Sequence, residues 1–159
     1  INDDRQGPCA LQAGDADLAI VEPDQLTPEI RNKALQAEQY VLVCTQAWKK
    51  RPLKSILANE RIVDFNPQDQ MTYRYLQRFD LHPTPKGRHF ANRTDTLVAM
   101  VANGMGYSAL PLAFAQPHID NQSIMVLNQR HVFLQPWHLA WYDRPNPPAY
   151  FSHCIDAIS

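Results

Sequence analysis

The apolar positions of this chain fall into two rhythms. Leu18-Ala19-Ile20-Val21 and Tyr40-Val41-Leu42-Val43-Cys44 are unbroken apolar runs. That pattern predicts strands covered on both faces, as in a parallel sheet. Residues 62–65, 89–91, 107–110 and 124–127 are read as further strands, and 133–143 as one long strand. In that last segment Trp137, Leu139 and Trp141 share one face, with His138, Ala140 and Tyr142 on the other. Elsewhere the spacing turns helical: Leu53, Ile56 and Leu57 predict a helix over 52–60, and Met71, Tyr75, Leu76 and Phe79 predict one over 70–79. Shorter helices are expected over 9–13, 96–102, 112–116 and 149–159. Residues 24–38 read as a loop followed by a polar segment.

Glycine and proline punctuate these elements in a recurring order. LQAGDADLAIVEP, residues 11–23, runs helix, glycine, polar step, buried strand, proline. MVANGMGYSALP, residues 100–111, follows the same order. A glycine just past a helix suits the left-handed turn that a side chain resists. Two such units ninety positions apart, Gly14 to Gly104, predict two similar lobes rather than one long sheet. Glu22-Pro23 would then leave the first lobe at a strand end, and ligands of open α/β sheets sit outside the carboxyl ends of strands.

Composition narrows the function without naming it. The 159 residues are 45% apolar and 19% charged with a formal net charge of -1, ordinary for a globular chain and without the basic excess of a nucleic-acid binder. No apolar stretch approaches the roughly 18 to 20 residues of a membrane span. The opening INDDRQG shows no basic segment leading into an apolar one, so no signal peptide is expected. Cys9, Cys44 and Cys154 are few, odd in number and set in apolar contexts, and are read as buried free thiols of a reducing compartment. The histidines have no metal-ligand spacing, and no nucleophile elbow, phosphate loop or zinc motif is present, so neither enzyme nor cofactor nor metal is expected.

The order of LQAGDADLAIVEP, EQYVLVCT, TLVAMVANGMGYSALP and a late strand before a last helix resembles the effector-binding domain of LysR-type transcriptional regulators. The likeness runs from Asp3 to about Ala157; D-L-A-I after a glycine and G-x-G-x-x-x-L-P after an apolar helix are each common, their order and separation are not. The segments VDFNPQDQ and NRTDT are most similar to the branch that responds to basic amino acids. The resemblance implies an α/β fold of two Rossmann-like lobes, like type 2 periplasmic binding proteins, with a ligand cleft between them. Residues 1–37 and 123–159 would form the first lobe and 38–122 the second. The family's first strand, first helix and most of its second strand would precede Ile1, as would a winged helix-turn-helix, so DNA would be met only through a domain outside this chain.

The implied cleft residues are Asp3, Asp4, Arg5 and Gln6 after the second strand of the family, Glu22, Phe65 and Asn66 at strand ends, and Asn92, Arg93, Thr94 and Asp95 before a helix. A ligand carboxylate could meet that helix start, and an ammonium could meet Asp3, Asp4 or Glu22, which suits an amino acid or small carboxylate. Each residue has a plainer role open to it. Asp3, Asp4 and Arg5 could be solvated surface, Thr94 a helix cap, Phe65 core, and Asn66 a turn residue before Pro67. The implied protein is a cytoplasmic sensor, homodimeric or tetrameric through this domain. The alternative on the same fold is a periplasmic solute-binding protein, against which the scattered cysteines and the missing leader argue.

Overall fold

The computed structural model describes residues 7–84 and 86–158, and Asp3, Asp4, Arg5 and Gln6 lie outside them. The chain divides into two compact units, Ile1–Glu38 with Gln135–Ser159, and Gln39–Leu134.

The first unit is built on an antiparallel sheet of three strands, β1 (Ala19–Val21), β9 (His138–Tyr142) and β2 (Ile30–Ala34), with β9 in the middle. The run before Glu22 is therefore a strand, but its partner is antiparallel, because an apolar run reports only that both faces are covered. Helix α1 (Gly7–Ala13) lies against β1, and a Cβ on Gly7 would already touch Val21 Cγ1 at 3.3 Å. Gly14 closes α1 at φ +79°, the left-handed turn expected there. Leu11, Val21, Ile30 and Ala140 form a small core. Helix α6 (Ala149–Ala157) is tied to β2 by Lys33 Nζ, which donates to the Ile155 carbonyl at 3.1 Å.

The second unit is organised by β3 (Glu38–Thr45). It pairs antiparallel with β6 (Ser108–Pro111) and with β7 (Ile124–Leu127), and it also pairs with the short β8 (Phe133–Gln135). Its side chains alternate between two cores, as a strand's period of two demands. Val41 and Val43 join Leu97, Val98 and Val101 of α4 (Thr94–Ala102), while Leu42 and Cys44 join Ile56 of α2 (Leu53–Asn59) and Tyr75 of α3 (Met71–Arg78). Each fully buried aliphatic side chain contributes about 1.5–3 kcal/mol, so this sandwiching fixes the register of β3. Strands β4 (Ile62–Asp64) and β5 (Arg88–Phe90) run parallel, with Asp64 opposite Phe90. A parallel bridge from Ile62 to Tyr107 links β4 to the entry of β6. Helix α5 (Leu112–Asp120) connects β6 to β7.

Three further sequence expectations change. Residues 124–127 belong to the second unit, since β7 hydrogen-bonds to β3, although their position suggested the first lobe. The expected long strand over 133–143 breaks at Pro136-Trp137 into β8 and β9, one in each unit, because proline has no N–H to donate to a ladder. Cys9 is exposed and Cys154 half-buried; only Cys44 is a buried thiol, and all three are free.

Candidate functional site

The parallel pair β4 and β5 delivers two polar segments from the same end of neighbouring strands. Asp64 ends β4, and Phe65 and Asn66 follow it; Phe90 ends β5, and Ala91 and Asn92 follow that. The Ala91 N–H donates to the Asp64 carbonyl at 3.0 Å, which extends the pairing one step further.

The loop after β4 is shaped by its own side chains. Asn66 Oδ1 accepts from the N–H groups of Gln68 and Asp69, both at 2.9 Å. Asp69 in turn accepts from the N–H of Phe65 at 3.2 Å and of Met71 at 2.9 Å. Asn66 is thus both a turn residue and exposed, with its Nδ2 left to donate outward. Phe65 is half-buried and packs against the core that Val41 and Leu97 share, which is the structural one of its two readings.

Helix α4 begins two residues earlier than its apolar pattern suggested. Thr94 is its first residue rather than its cap; Arg93 occupies the cap position and offers no side-chain hydrogen bond. The first-turn N–H groups of a helix have no backbone partner within it; here the Arg93 side chain takes none of them, and Asp95 takes that of Thr96. Asp95 is engaged by its neighbours: Oδ1 accepts from Arg93 Nε at 3.1 Å and from Thr96 N–H at 2.9 Å, and Oδ2 from Arg93 Nη2 at 2.8 Å. Those bonds, led by the guanidinium, hold its carboxyl below the usual range. Asn92 is exposed and Thr94 half-buried.

Glu22, in the first unit, follows β1 and caps a 3-10 turn over Pro23–Gln25, and its N–H donates to Gln25 Oε1 at 2.9 Å. The candidate residues of the second unit are therefore brought to one end of one strand pair, and Glu22 belongs to the first unit.

Beneath the β4 loop lies a polar group that sequence reasoning missed. Asp64 is 1% exposed. Its Oδ1 accepts from the Thr72 hydroxyl at 2.7 Å, and its Oδ2 from Arg88 Nη2 at 2.7 Å and Nε at 3.0 Å. The Thr72 oxygen also accepts from the Ala109 N–H of β6 at 3.1 Å. Burial pushes the Asp64 carboxyl above its ordinary value, against the opposing pull of Thr72 and Arg88. A signal for this group did exist: an acid inside the apolar run Ile-Val-Asp-Phe cannot be buried without a partner. Among the described residues no group of three His, Cys, Asp or Glu is arranged to hold a metal, and no helix is long and apolar enough to cross a membrane.

The family model described as the LysR substrate binding domain matches residues 2–159. The C-terminal domains of a LysR family protein from Agrobacterium tumefaciens superpose with a TM-score of 0.76 at 17% identity, over 89% of this chain and 70% of that one. ArgP from Mycobacterium tuberculosis gives 0.81 at 16%, over 99% and 55%. Full-length LysG from Corynebacterium glutamicum with bound effector Arg gives 0.74 at 15%, over 94% and 52%. The chain spans about half the length of the latter two. At these identities the likeness is one of fold, the mixed α/β fold of type 2 periplasmic binding proteins. No curated protein matches the chain in sequence. The family match over residues 2–159 settles what the strand order and the two glycine units suggested: the chain belongs to the LysR substrate-binding domain family, the effector-binding regulatory domains of LysR-type regulators.

Proposed function

We propose that the effector is an amino acid or a small carboxylate, and that Asn66, Asn92 and Thr94 bind it. One observation carries this reading. The parallel register of Asp64 with Phe90 sets Asn66 and Asn92 beyond the same end of adjacent strands, and the uncapped start of α4 follows two residues after Asn92. Amide side chains and helix N–H groups together suit a carboxylate. Glu22, which follows β1 in the first unit, remains a proposed contact through the family resemblance. Asp95 is a weaker contributor than its place in the sequence suggested, because Arg93 already occupies both of its oxygens. Asp3, Asp4, Arg5 and Gln6 remain proposed contacts through the family resemblance.

The arginine bound in LysG supports the amino-acid class and leaves the particular effector open. The wider reading is a cytoplasmic, non-enzymatic sensor that forms a homodimer or tetramer and acts on DNA through a separate helix-turn-helix domain. The effector shifts it between two states only to the extent that it binds them unequally.

A thermal-shift screen of amino acids and small carboxylates tests this. A ligand at a hundred times its Kd adds about 2.7 kcal/mol. At about 2–4 °C per kcal/mol for a chain of this size, the shift is readily seen. Asn66→Asp is the discriminating variant: it keeps the acceptor that Gln68 and Asp69 need and replaces the Nδ2 donor by a charged oxygen that repels a ligand carboxylate. It should retain the unliganded melting temperature and lose most of the shift. A full shift in both Asn66→Asp and Thr94→Val would remove these residues from the site.

A further inference from the structure

Arg88 has an unusual concentration of tasks for a residue outside the proposed contacts. It opens β5, and its side chain is 17% exposed. Nε and Nη2 hold Asp64 Oδ2, Nη2 also donates to the Asp69 carbonyl at 2.6 Å, and Nη1 donates to the Pro67 carbonyl at 3.1 Å. The guanidinium lies near the rings of Tyr73 and Phe90, 5.1 and 4.9 Å from their centroids. One planar cation thus joins the end of β4, two carbonyls of the loop that carries Asn66, and the strand that leads to Asn92. Through Asp64 and Thr72 the same network reaches α3 and β6.

Stability alone is a poor account of this arrangement. A buried ion pair contributes little net free energy compared with apolar residues of the same volume, because desolvation offsets attraction. What the pair supplies is geometry: a guanidinium presents donors from three nitrogens in a fixed planar fork, whereas a lysine's three donors radiate from one nitrogen and do not reproduce that spread. The loop has polar bonds of its own through Asn66 and Asp69, but these are local bonds within the loop, which open more often once its ties to the strand pair are lost.

We infer that Arg88 is a positioning residue for effector binding, holding the loop over Pro67–Asp69 on the β4–β5 pair so that Asn66 faces the ligand. This rests on the effector site proposed above and adds the element that sets its shape.

The test uses two variants of the whole chain, with L-arginine as probe. Arg88→Lys keeps a charge for Asp64. The double variant Asp64→Asn with Arg88→Met removes the charges while leaving an oxygen for Thr72, and it guards against a single variant that fails to fold. Amide hydrogen exchange in unliganded protein is expected to speed up at least tenfold at Phe65, Gln68 and Asp69 and to stay unchanged at Leu42 and Val43. The Kd for L-arginine, measured by calorimetry, is expected to weaken at least tenfold while the melt remains cooperative. Unchanged loop exchange overturns the inference, and so does a freed loop with wild-type Kd. Asn66→Asp separates the two levels: weaker binding with unchanged exchange keeps the site when Arg88 fails, whereas wild-type binding removes the site itself.

Discussion

Replacing Gly106 by alanine gives a sharp structural prediction. A Cβ built there would lie 2.3 Å from the Arg61 carbonyl oxygen and 2.9 Å from Val63 Cγ2, where ordinary contact begins near 3.4 Å. The backbone of β4 would have to retreat by about 1.1 Å, the difference between 3.4 and 2.3 Å. That retreat strikes the bridge between β4 and the start of β6, where Tyr107 N–H donates to the Arg61 carbonyl at 3.0 Å and Val63 N–H to the Tyr107 carbonyl at 2.9 Å. Overpacking of a filled core costs about 1–3 kcal/mol, and each lost backbone hydrogen bond about 1 kcal/mol. The sum is about 3–5 kcal/mol, a large share of the roughly 5–15 kcal/mol that holds a protein folded. Gly104→Ala is the internal reference. Gly104 has φ +77°, but its Cβ would meet only Thr45 Cγ2 and Trp48 at 3.7 Å, so the cost is conformational strain of about 1–2 kcal/mol. Differential scanning calorimetry of the three proteins should place Gly106→Ala lowest, about 6–20 °C below wild type. A Gly106→Ala protein within about 1 kcal/mol of wild type, or milder than Gly104→Ala, would refute the close approach of β4 to β6.

Other outcomes follow from buried polar groups. Cys44 is 0% exposed and burial pushes its thiol up to about 12, so iodoacetamide at pH 8 should label exposed Cys9 and spare Cys44 in native protein, as read by peptide mass spectrometry. Between the unfolded thiol's 9.0 and about 12 the native state keeps a proton that the unfolded chain loses; stability therefore falls as pH rises, by about 1.4 kcal/mol per unit from this group, a slope that denaturant melts of Cys44→Ala should lack. Thr72→Val leaves Asp64 Oδ1 and the Ala109 N–H without their shared partner and should destabilise by about 2–4 kcal/mol in urea titrations, whereas a loss under 1 kcal/mol would contradict the network. The Tyr107 hydroxyl is buried without a hydrogen-bond partner among the described residues, so Tyr107→Phe should leave stability unchanged or raise it by about 1 kcal/mol, and a clear loss would mean that the hydroxyl is bonded.

The parts of this fold that could be read from the sequence are those in which one residue's burial repeats at a local period. Leu42 and Cys44 alternate with Val41 and Val43 between two cores, and Leu97, Val98 and Val101 repeat at helical spacing, so β3 and α4 announce themselves. Gly14 and Gly104 mark left-handed helix ends because no other residue reaches φ near +78° so easily. Strand β2 was invisible: only Ile30 of Ile-Arg-Asn-Lys-Ala is buried, as suits an edge strand. Strand direction was equally hidden, since β1 next to antiparallel β9 carries the same apolar run it would carry in a parallel sheet.

The candidate site divides in the same way. Asn66 and Asn92 were singled out as candidates by a local signal, polar residues that follow apolar runs. The Asp64, Thr72 and Arg88 group was not, because its members are eight and twenty-four positions apart and meet only once α3 and β5 have packed on β4. The start of α4 was misplaced for a related reason: Thr94 is a good cap by residue type, but Arg93 takes that position and the chain turns helical at Thr94.

The central claim is that the effector is met at the carboxyl ends of β4 and β5. A 1H–15N NMR titration of the protein with L-arginine measures it most directly. The largest shifts are expected on the backbone amides of Asn66, Asn92, Thr94 and Asp95 and on the Asn66 side-chain amide. Shifts confined to other surfaces, such as the groove of Arg74, Gln77, Arg78 and Phe133, with those amides unmoved at saturation, would contradict it.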